Sequence, residues 1–305
     1  MVDVTKEGDS VDIGFMDAPF HVNWNYTSLC NFACQHCYSR LDDSSFELTS
    51  TQKKTVAANL IRSRVFSVNL GGGEPLLCPD VLDIVSYLAS NKLNVILSSN
   101  GWEADEQTAR RLKVAGLRSI VLSLDNHDAS IHDAFRKREG SFTQVMKAIA
   151  LYRNQDIPVT ISTTITSKNV DTLEDIIHLV EDMDCAGVEF KRIRLAGNAR
   201  GQIALQLSKD QEKDLYQGMA IWKQHCRLSL NLVYSVSPIL GIDAGCPCGR
   251  TSLAILSNGD IAPCVYSPQV IGNALEDDID VLWCTSPQLA HVRKHFTCYG
   301  LNGAL

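Results

Sequence analysis

Three cysteines stand close together near the start of the chain, in the stretch TSLCNFACQHCYS. Cys30, Cys34 and Cys37 follow the spacing Cys-x3-Cys-x2-Cys, so their thiolates can meet within one short loop. Soft sulfur ligands suit iron–sulfur clusters, and a four-iron cubane held by three cysteines keeps one iron open to an outside molecule. The alternative is a zinc knuckle, but structural zinc takes a closed set of four ligands and no fourth cysteine lies nearby. The spacing therefore favours a catalytic cluster.

This loop resembles that of the radical S-adenosylmethionine (radical SAM) family, which usually has an aromatic residue where this chain has His36. The resemblance implies a 4Fe–4S cluster whose open iron is chelated by the amino and carboxylate groups of SAM. It also implies reductive cleavage of SAM to a 5′-deoxyadenosyl radical, which removes hydrogen from an unactivated carbon. A flavodoxin or ferredoxin-type protein would supply the electron.

Length and composition narrow the class of protein. The 305 residues, 45% of them hydrophobic, predict one large domain plus a smaller unit. A net charge of −7 gives no electrostatic footprint for nucleic acid or an anionic membrane. The first residues are polar and no long apolar run occurs, so neither a signal peptide nor a membrane span is expected. The eleven cysteines are then expected as thiols in a reducing cytoplasm.

Short apolar runs alternate with segments of helical period along most of the chain. The runs are rich in Val and Ile and end at polar or Gly-containing turns, as strands of a covered parallel sheet do. Capping boxes predict helix starts at Ser141, Asp171 and Ser208. Repeated strand–helix units predict an α/β fold, and six of them fit the partial (β/α)6 TIM-like barrel that the resembled family uses. The predicted strands span residues 20–26, 67–70, 94–98, 119–125, 159–165 and 187–193.

The turn after the second predicted strand reads GGGEP. Glycines let a backbone approach a ligand closely, because they carry no side chain. The turn matches the Gly-Gly-Glu-Pro motif of the resembled family, which binds the amino group of SAM. The resemblance therefore assigns a cofactor-binding role to Gly72, Gly73, Glu74 and Pro75.

Polar residues also end the third and fourth predicted strands. Ser99 and Asn100 follow strand three, and Ser123 and Asp125 end strand four, with Arg136 further along. The resemblance implies that these residues contact the ribose or carboxylate of SAM, or the substrate. Two structural alternatives stay open: Asp125 could cap the next segment, and Arg136 could lie on a solvated face.

The sixth predicted strand runs into a basic cluster in an otherwise acidic protein. Lys191, Arg192, Arg194 and Arg200 could receive a carboxylate or phosphate of the substrate near the barrel mouth. Charge patterning by itself favours the alternative, a solvated charged loop.

The pattern changes near the C-terminus, where GCPCGRTSLAILSNGDIAPC predicts a β-hairpin that turns at residues 258–259. This stretch resembles the SPASM or twitch extension of radical SAM enzymes. The resemblance implies one auxiliary 4Fe–4S cluster on Cys248, Cys264 and Cys298, with Cys246 as a possible fourth ligand. A zinc site built from the same thiols is the alternative.

These features predict four segments and three classes of function. The segments are an N-terminal lead-in (1–19), the barrel (20–225), a bridge (226–240) and a small β-hairpin and helix extension (241–305). The first hypothesis is a radical SAM oxidoreductase acting on a peptide or small natural product, with the auxiliary cluster accepting an electron. The second is an epimerase in which Cys246, or failing that Cys226, returns a hydrogen atom. The third is a non-catalytic iron–sulfur or zinc-binding protein.

Overall fold

The predicted strand–helix alternation is present throughout the described part of the chain. All six predicted strands form, each within two residues of its expected ends, because each run is short, apolar and bounded by turn residues. They are β1 (His21–Thr27), β2 (Ser67–Gly72), β3 (Asn94–Ser99), β4 (Ser119–Ser123), β5 (Val159–Ile165) and β6 (Gly187–Arg192). The computed structural model describes residues 17–38, 47–233, 236–237, 242–243, 246–267 and 269–295.

The six strands pair in sequence order and all run parallel. Their carboxyl ends therefore meet at one edge of the sheet, where the turns after them can build a site. The sheet ends in different strands on its two sides, so the barrel is partial, as expected. None of the helices in the described segments is both long and apolar enough to cross a bilayer.

The predicted bridge contains a seventh parallel strand. β7 (Ser229–Val233) pairs with β6, and its residues alternate between exposed and buried, as an edge strand with one wet face does. On sequence alone, this stretch is interpreted as a polar bridge. Its polar residues recur at every second position, and this alternation indicates a strand. The division between barrel and extension stays a prediction.

The predicted hairpin forms and joins the barrel sheet. β10 (Ser252–Ile255) and β11 (Asp260–Ala262) are antiparallel, and the turn between them includes Gly259 at a φ of +91°. β10 also pairs in parallel with β1, from His21 opposite Ser252 to Trp24 opposite Ile255. The remaining short strands are β8 (Val236–Ser237), β9 (Ile242–Asp243) and β12 (Gly272–Asn273).

Nine helices lie in the described residues, and their starts test the predicted capping boxes. Ser208 caps as predicted, with Gln211 reciprocating. Ser141 does not: Gly140 precedes the helix, and the Ser141 hydroxyl instead donates to Asp133. The Asp171 box is also wrong, because a 3-10 turn over 170–172 comes first. The helices are α1 (Ser50–Arg62), α2 (Val81–Ser90), α3 (Glu106–Val114), α4 (Ala129–Arg136), α5 (Ser141–Arg153), α6 (Leu173–Asp182), α7 (Lys209–His225), α8 (Ile279–Thr285) and α9 (Pro287–His295).

Candidate active site

The carboxyl ends of the parallel strands surround a cavity, and the loop that carries the first three cysteines forms part of its wall. This loop, residues 30–37 and called the first loop below, follows β1 as predicted. Most of the predicted cofactor-binding residues line the same cavity, although they come from four different strand ends. The predicted residues that line it are Cys30, Cys34, His36, Cys37, Gly72, Gly73, Ser99, Asn100, Ser123 and Arg136.

The turn after β2 holds the residues that lead into the first loop through its backbone. The Gly73 amide donates to the Thr27 carbonyl at 2.7 Å, and the Glu74 amide donates to the Leu29 carbonyl at 2.7 Å. A Cβ atom at position 73 would collide with that same Leu29 carbonyl. Gly73 is therefore required for close packing of two backbones as well as for access by a ligand.

A second support comes from the loop after β6. The Asn198 amide donates to the Cys37 carbonyl at 2.9 Å, and its side-chain amide donates to the Cys34 carbonyl at 3.0 Å. Gly197 adopts a φ of +55°, and a Cβ there would collide with the Cys37 carbonyl. The loop after β6 thus fixes the backbone at Cys34 and Cys37, whereas the turn after β2 fixes the residues that lead into the first loop.

Glu74 and Pro75 shape the cavity wall without lining it. The Glu74 carboxylate is fully buried and accepts hydrogen bonds from the Ser99 hydroxyl at 2.9 Å and the Asn100 amide at 2.7 Å. Burial raises the pKa of Glu74 to about 7, against the opposing effect of these hydrogen bonds. Pro75 begins a 3-10 turn directly after it. Glu74 therefore joins the turn after β2 to the turn after β3 and positions Ser99 and Asn100.

Asp125 and Arg136 form a buried ion pair, with 2.6 Å between Arg136 Nε and Asp125 Oδ2. Both structural alternatives are wrong, since Asp128 caps the following helix and Arg136 is not solvated. Burial alone would raise the pKa of Asp125. The nearby Arg136 charge opposes this effect, and the pKa of Asp125 is lowered overall. Arg136 Nη1 also lies 3.9 Å from Cys34 Sγ. Arg136 therefore places a fixed positive charge beside a candidate thiolate ligand.

His36 occupies the aromatic position of the first loop. Its ring stacks on Phe135 with 4.7 Å between ring centroids. Burial lowers the pKa of His36 to about 4, so the ring is neutral at pH 7. Its Nδ1 atom is buried and lacks a hydrogen-bond partner in the described segments.

The basic cluster after β6 divides in two. Lys191, Arg192 and Arg194 line the cavity, and the two arginines are buried. Arg200 is exposed and lies outside the cavity lining. The solvated-loop alternative is therefore correct for Arg200 only.

Three cysteines of the extension come together at the base of the hairpin. The side chains of Cys246, Cys248 and Cys264 are called the second cysteine group below, and Cys248 lies within hydrogen-bonding reach of the other two. Its hydrogen bonds with Cys246 and Cys264 raise the pKa of Cys248, and the bond with Cys248 lowers the pKa of Cys264. Cys298 lies outside the described residues.

The second cysteine group adjoins the same cavity as the first loop. Val265 and Tyr266, which directly follow Cys264, line this cavity. The Tyr266 ring packs against Tyr38, directly after the first loop, with 4.9 Å between ring centroids. Cys226 is not brought there, since it ends α7 and precedes β7 at the opposite edge of the sheet.

Sequence reasoning missed several polar residues of the cavity wall. They stand on the strands themselves, where a polar side chain interrupts a buried run at alternate positions. That period of two is a signal that could have found them, because it marks the face of a strand that turns toward a site. The missed residues include Asn23, Asn25, Asn69, Ser98, Ser162 and Thr164.

Comparison with known families agrees with this geometry. The profile of the Radical SAM superfamily matches residues 24–183, and that of the SPASM iron–sulfur cluster-binding domain matches residues 246–300. The chain belongs to the radical SAM superfamily and carries a SPASM domain. It is therefore a radical SAM enzyme whose cofactors are a 4Fe–4S cluster, SAM and an auxiliary iron–sulfur cluster.

Individual relatives cover most of the chain. Mycofactocin maturase MftC of Mycobacterium tuberculosis (strain ATCC 25618 / H37Rv) is 32% identical, and the match covers 92% of this chain and 74% of the relative. The AdoMet-dependent heme synthase of Methanosarcina barkeri is 26% identical, and the match covers 89% of this chain and 84% of that relative. Streptococcus suis SuiB bound to precursor peptide SuiA has the same fold, with a TM-score of 0.76 at 16% identity over 92% of this chain and 67% of SuiB.

The residues around the cavity fit the cofactors of this family. Three thiols are available as cluster ligands. Burial raises the pKa of Cys34, and the nearby Arg136 charge opposes this rise by favouring the thiolate. The turn after β2 offers bare backbone where a side chain would block a ligand. The buried Nδ1 of His36 adds an unused hydrogen-bonding atom to the wall.

Proposed function

We propose that this radical SAM enzyme is an oxidoreductase that modifies a peptide, with the auxiliary cluster accepting an electron from the substrate. The observation that carries the proposal is that one cavity is bordered by both cysteine groups: the first loop lines it, and so do Val265 and Tyr266 beside Cys264. A substrate held there would lie between the site of hydrogen abstraction and a nearby electron acceptor. The names of two similar proteins, a mycofactocin maturase and SuiB bound to a precursor peptide, support a peptide substrate.

Each set of residues has its own role in this proposal. Cys30, Cys34 and Cys37 hold the cluster that, with SAM bound, supplies the hydrogen-abstracting radical. The backbone at Gly72 and Gly73 receives the amino group of SAM. The polar side chains that bind the rest of SAM are Ser99, Asn100, Ser123 and Arg136.

Glu74, Asp125 and Pro75 act through these residues. Glu74 fixes the turn that carries Ser99 and Asn100, and Asp125 orients the Arg136 guanidinium. His36 packs as a neutral aromatic ring on the wall of the first loop. These residues keep the cavity in shape before any ligand arrives.

The second cysteine group binds the auxiliary cluster in this proposal. Cys246, Cys248 and Cys264 already lie together, and Cys298 is the remaining candidate ligand. A flavodoxin or ferredoxin-type protein delivers the electron that starts each turnover. The many cysteines, taken as cluster ligands or buried thiols, favour a reducing compartment such as the cytoplasm.

Epimerisation is the second candidate function. It is favoured by one observation: Cys246 and Cys248 are only one residue apart within the second cysteine group, so one thiol could serve as a hydrogen donor while the other binds iron. Cys226 remains the second candidate donor, because it lies at the end of α7 and outside the cavity lining.

One experiment separates the two candidates. The reconstituted protein is incubated without oxygen with SAM, dithionite and a precursor peptide encoded beside its gene, in heavy water. Oxidation predicts 5′-deoxyadenosine together with a peptide that has lost two hydrogen atoms. A peptide of unchanged connectivity that has gained one solvent deuterium would instead establish epimerisation and overturn the oxidoreductase proposal.

A further inference from the structure

Arg194 is a buried cation on the wall of the cavity. It follows β6, lines the cavity, and is only 7% exposed. Its guanidinium makes neither a hydrogen bond nor an ion pair with any residue of the described ranges. Its nitrogens are not sealed from the cavity, so an anionic ligand in the cavity can reach the guanidinium and supply an ion-pair partner.

The other cations of the wall already have acidic partners. Lys191 Nζ lies 3.1 Å from Glu189 Oε2, and Arg192 Nη1 lies 2.9 Å from Glu212 Oε1. Arg136, on another part of the wall, pairs with Asp125. Within the described part of the chain, Arg194 is thus the one cavity-lining arginine or lysine whose charge is not balanced by an ion pair.

We propose that Arg194 binds a carboxylate of the substrate. A single uncompensated charge suits a monoanion better than a phosphate dianion, and the planar guanidinium matches a carboxylate with two parallel hydrogen bonds. The inference rests on the proposed function, because it names a chemical feature of that substrate. The carboxylate would be either the C-terminus of the peptide or a side chain of Asp or Glu.

The carboxylate of SAM is a less suitable partner for Arg194. Arg136 already stands 3.9 Å from Cys34 Sγ in the first loop, where SAM is expected to bind the cluster. Arg194 belongs instead to the β6 wall, beyond β4 and β5 in the order of the sheet. The two arginines are therefore assigned to two different anions.

Binding of a simple probe tests the site without knowledge of the substrate. Propionate and its neutral isostere propionamide are titrated by saturation-transfer NMR into the reconstituted, SAM-loaded protein. We expect saturable binding of propionate only. Arg194→Gln should weaken it at least tenfold, Arg194→Lys should restore part of it, and the exposed control Arg200→Gln should bind as the wild type does. Iron content and circular dichroism confirm that each variant is folded.

Equal binding of propionate and propionamide would overturn the inference, as would undiminished propionate binding by Arg194→Gln. Loss of propionate binding in Arg136→Gln with retention in Arg194→Gln would also overturn it, by assigning the anion to the other arginine.

Peptides then identify the source of the carboxylate. Hexapeptide libraries are compared as free acids, as C-terminal amides and without Asp or Glu, and peptide-stimulated 5′-deoxyadenosine is measured. Loss of stimulation on amidation assigns the C-terminus to Arg194, and loss on removal of Asp and Glu assigns a side chain. If propionate binds at Arg194 but no peptide stimulates turnover, the peptide proposal fails and the anion site stands. If wild type and Arg194→Gln process all peptides equally, the anion site fails and the peptide proposal stands.

Discussion

The two cysteine groups are held in different ways. The first loop and the residues that lead into it are held by backbone contacts from segments far along the chain, the loop after β6 and the turn after β2. In the second cysteine group the thiols themselves take part, because Cys248 hydrogen-bonds to Cys246 and Cys264. The backbone contacts there come from neighbouring residues such as Ser252 and Ser267. In the first loop the thiols are carried by backbone that other segments hold in place. In the second cysteine group the thiols contribute to the local structure themselves. Removing thiols should therefore have different consequences in the two groups.

The sharpest test of this contrast is the joint replacement of Cys30, Cys34 and Cys37 by Ala. We expect 5′-deoxyadenosine formation to be abolished. The iron content of a two-cluster protein should fall by about half, because one of the two clusters loses its ligands. Because backbone contacts hold the first loop, the circular dichroism spectrum should stay that of the wild type. Full iron retention in this variant would remove the first loop from the cluster site.

Cys264→Ala tests the other half of the contrast. Loss of this thiol breaks the hydrogen bond from Cys248 and removes a predicted ligand of the auxiliary cluster. We expect SAM cleavage to continue while product formation is lost, together with a lower melting temperature, since the metal site and local folding are coupled. Cys185→Ala is the matched control, because Cys185 is a buried thiol outside both groups. Normal product yield from Cys264→Ala would contradict its role as a ligand.

Two glycines of one loop test the rigid scaffold directly. Gly197→Ala places a methyl group against the Cys37 carbonyl, and the resulting shift should cost about 2 kcal/mol and reduce cluster retention in the first loop. Gly201→Ala is the control: its φ of +78° is also positive, but no atom lies within 4 Å of the added Cβ. Cluster absorbance after desalting measures the difference. Equal losses in both variants would show that backbone strain, rather than contact with the first loop, is responsible.

Glu74 makes the free energy of unfolding depend on pH. Its pKa of about 7 in the folded protein exceeds the ordinary value of 4.5, so between these values the folded state keeps a proton that the unfolded chain releases. Stability therefore falls as pH rises through this window, by about 3 kcal/mol from this group. Glu74→Gln should remove that part of the slope in denaturant unfolding between pH 5 and 8. The exposed Glu106→Gln should keep the wild-type slope, and an unchanged slope in Glu74→Gln would assign the effect elsewhere.

The sequence predicts the strands and the first loop well, because both depend on local signals. Short apolar runs mark β1 to β6, and ligand spacing marks the three cysteines. The partners of Glu74 and Arg194 could not be predicted in this way. The Glu74 carboxylate joins two turns, and Arg194 has no acidic partner among the described residues. Both properties depend on distances between strands, which no local sequence pattern encodes. The missed β7 belongs to an intermediate case, since its alternation is visible but weak.

The pairing of β10 with β1 has a consequence for how the chain is made. β1 is synthesised before β10, and most of the described chain lies between these two strands. One edge of β1 therefore stays unpaired until β10 has been made, although the strand leads directly into the first loop. His21, whose amide donates to the Thr251 carbonyl, gains this partner only when the extension has emerged. The extension thus completes the pairing of the strand that leads into the first loop, so the two parts of the described chain are joined at the strand beside the first cysteine group.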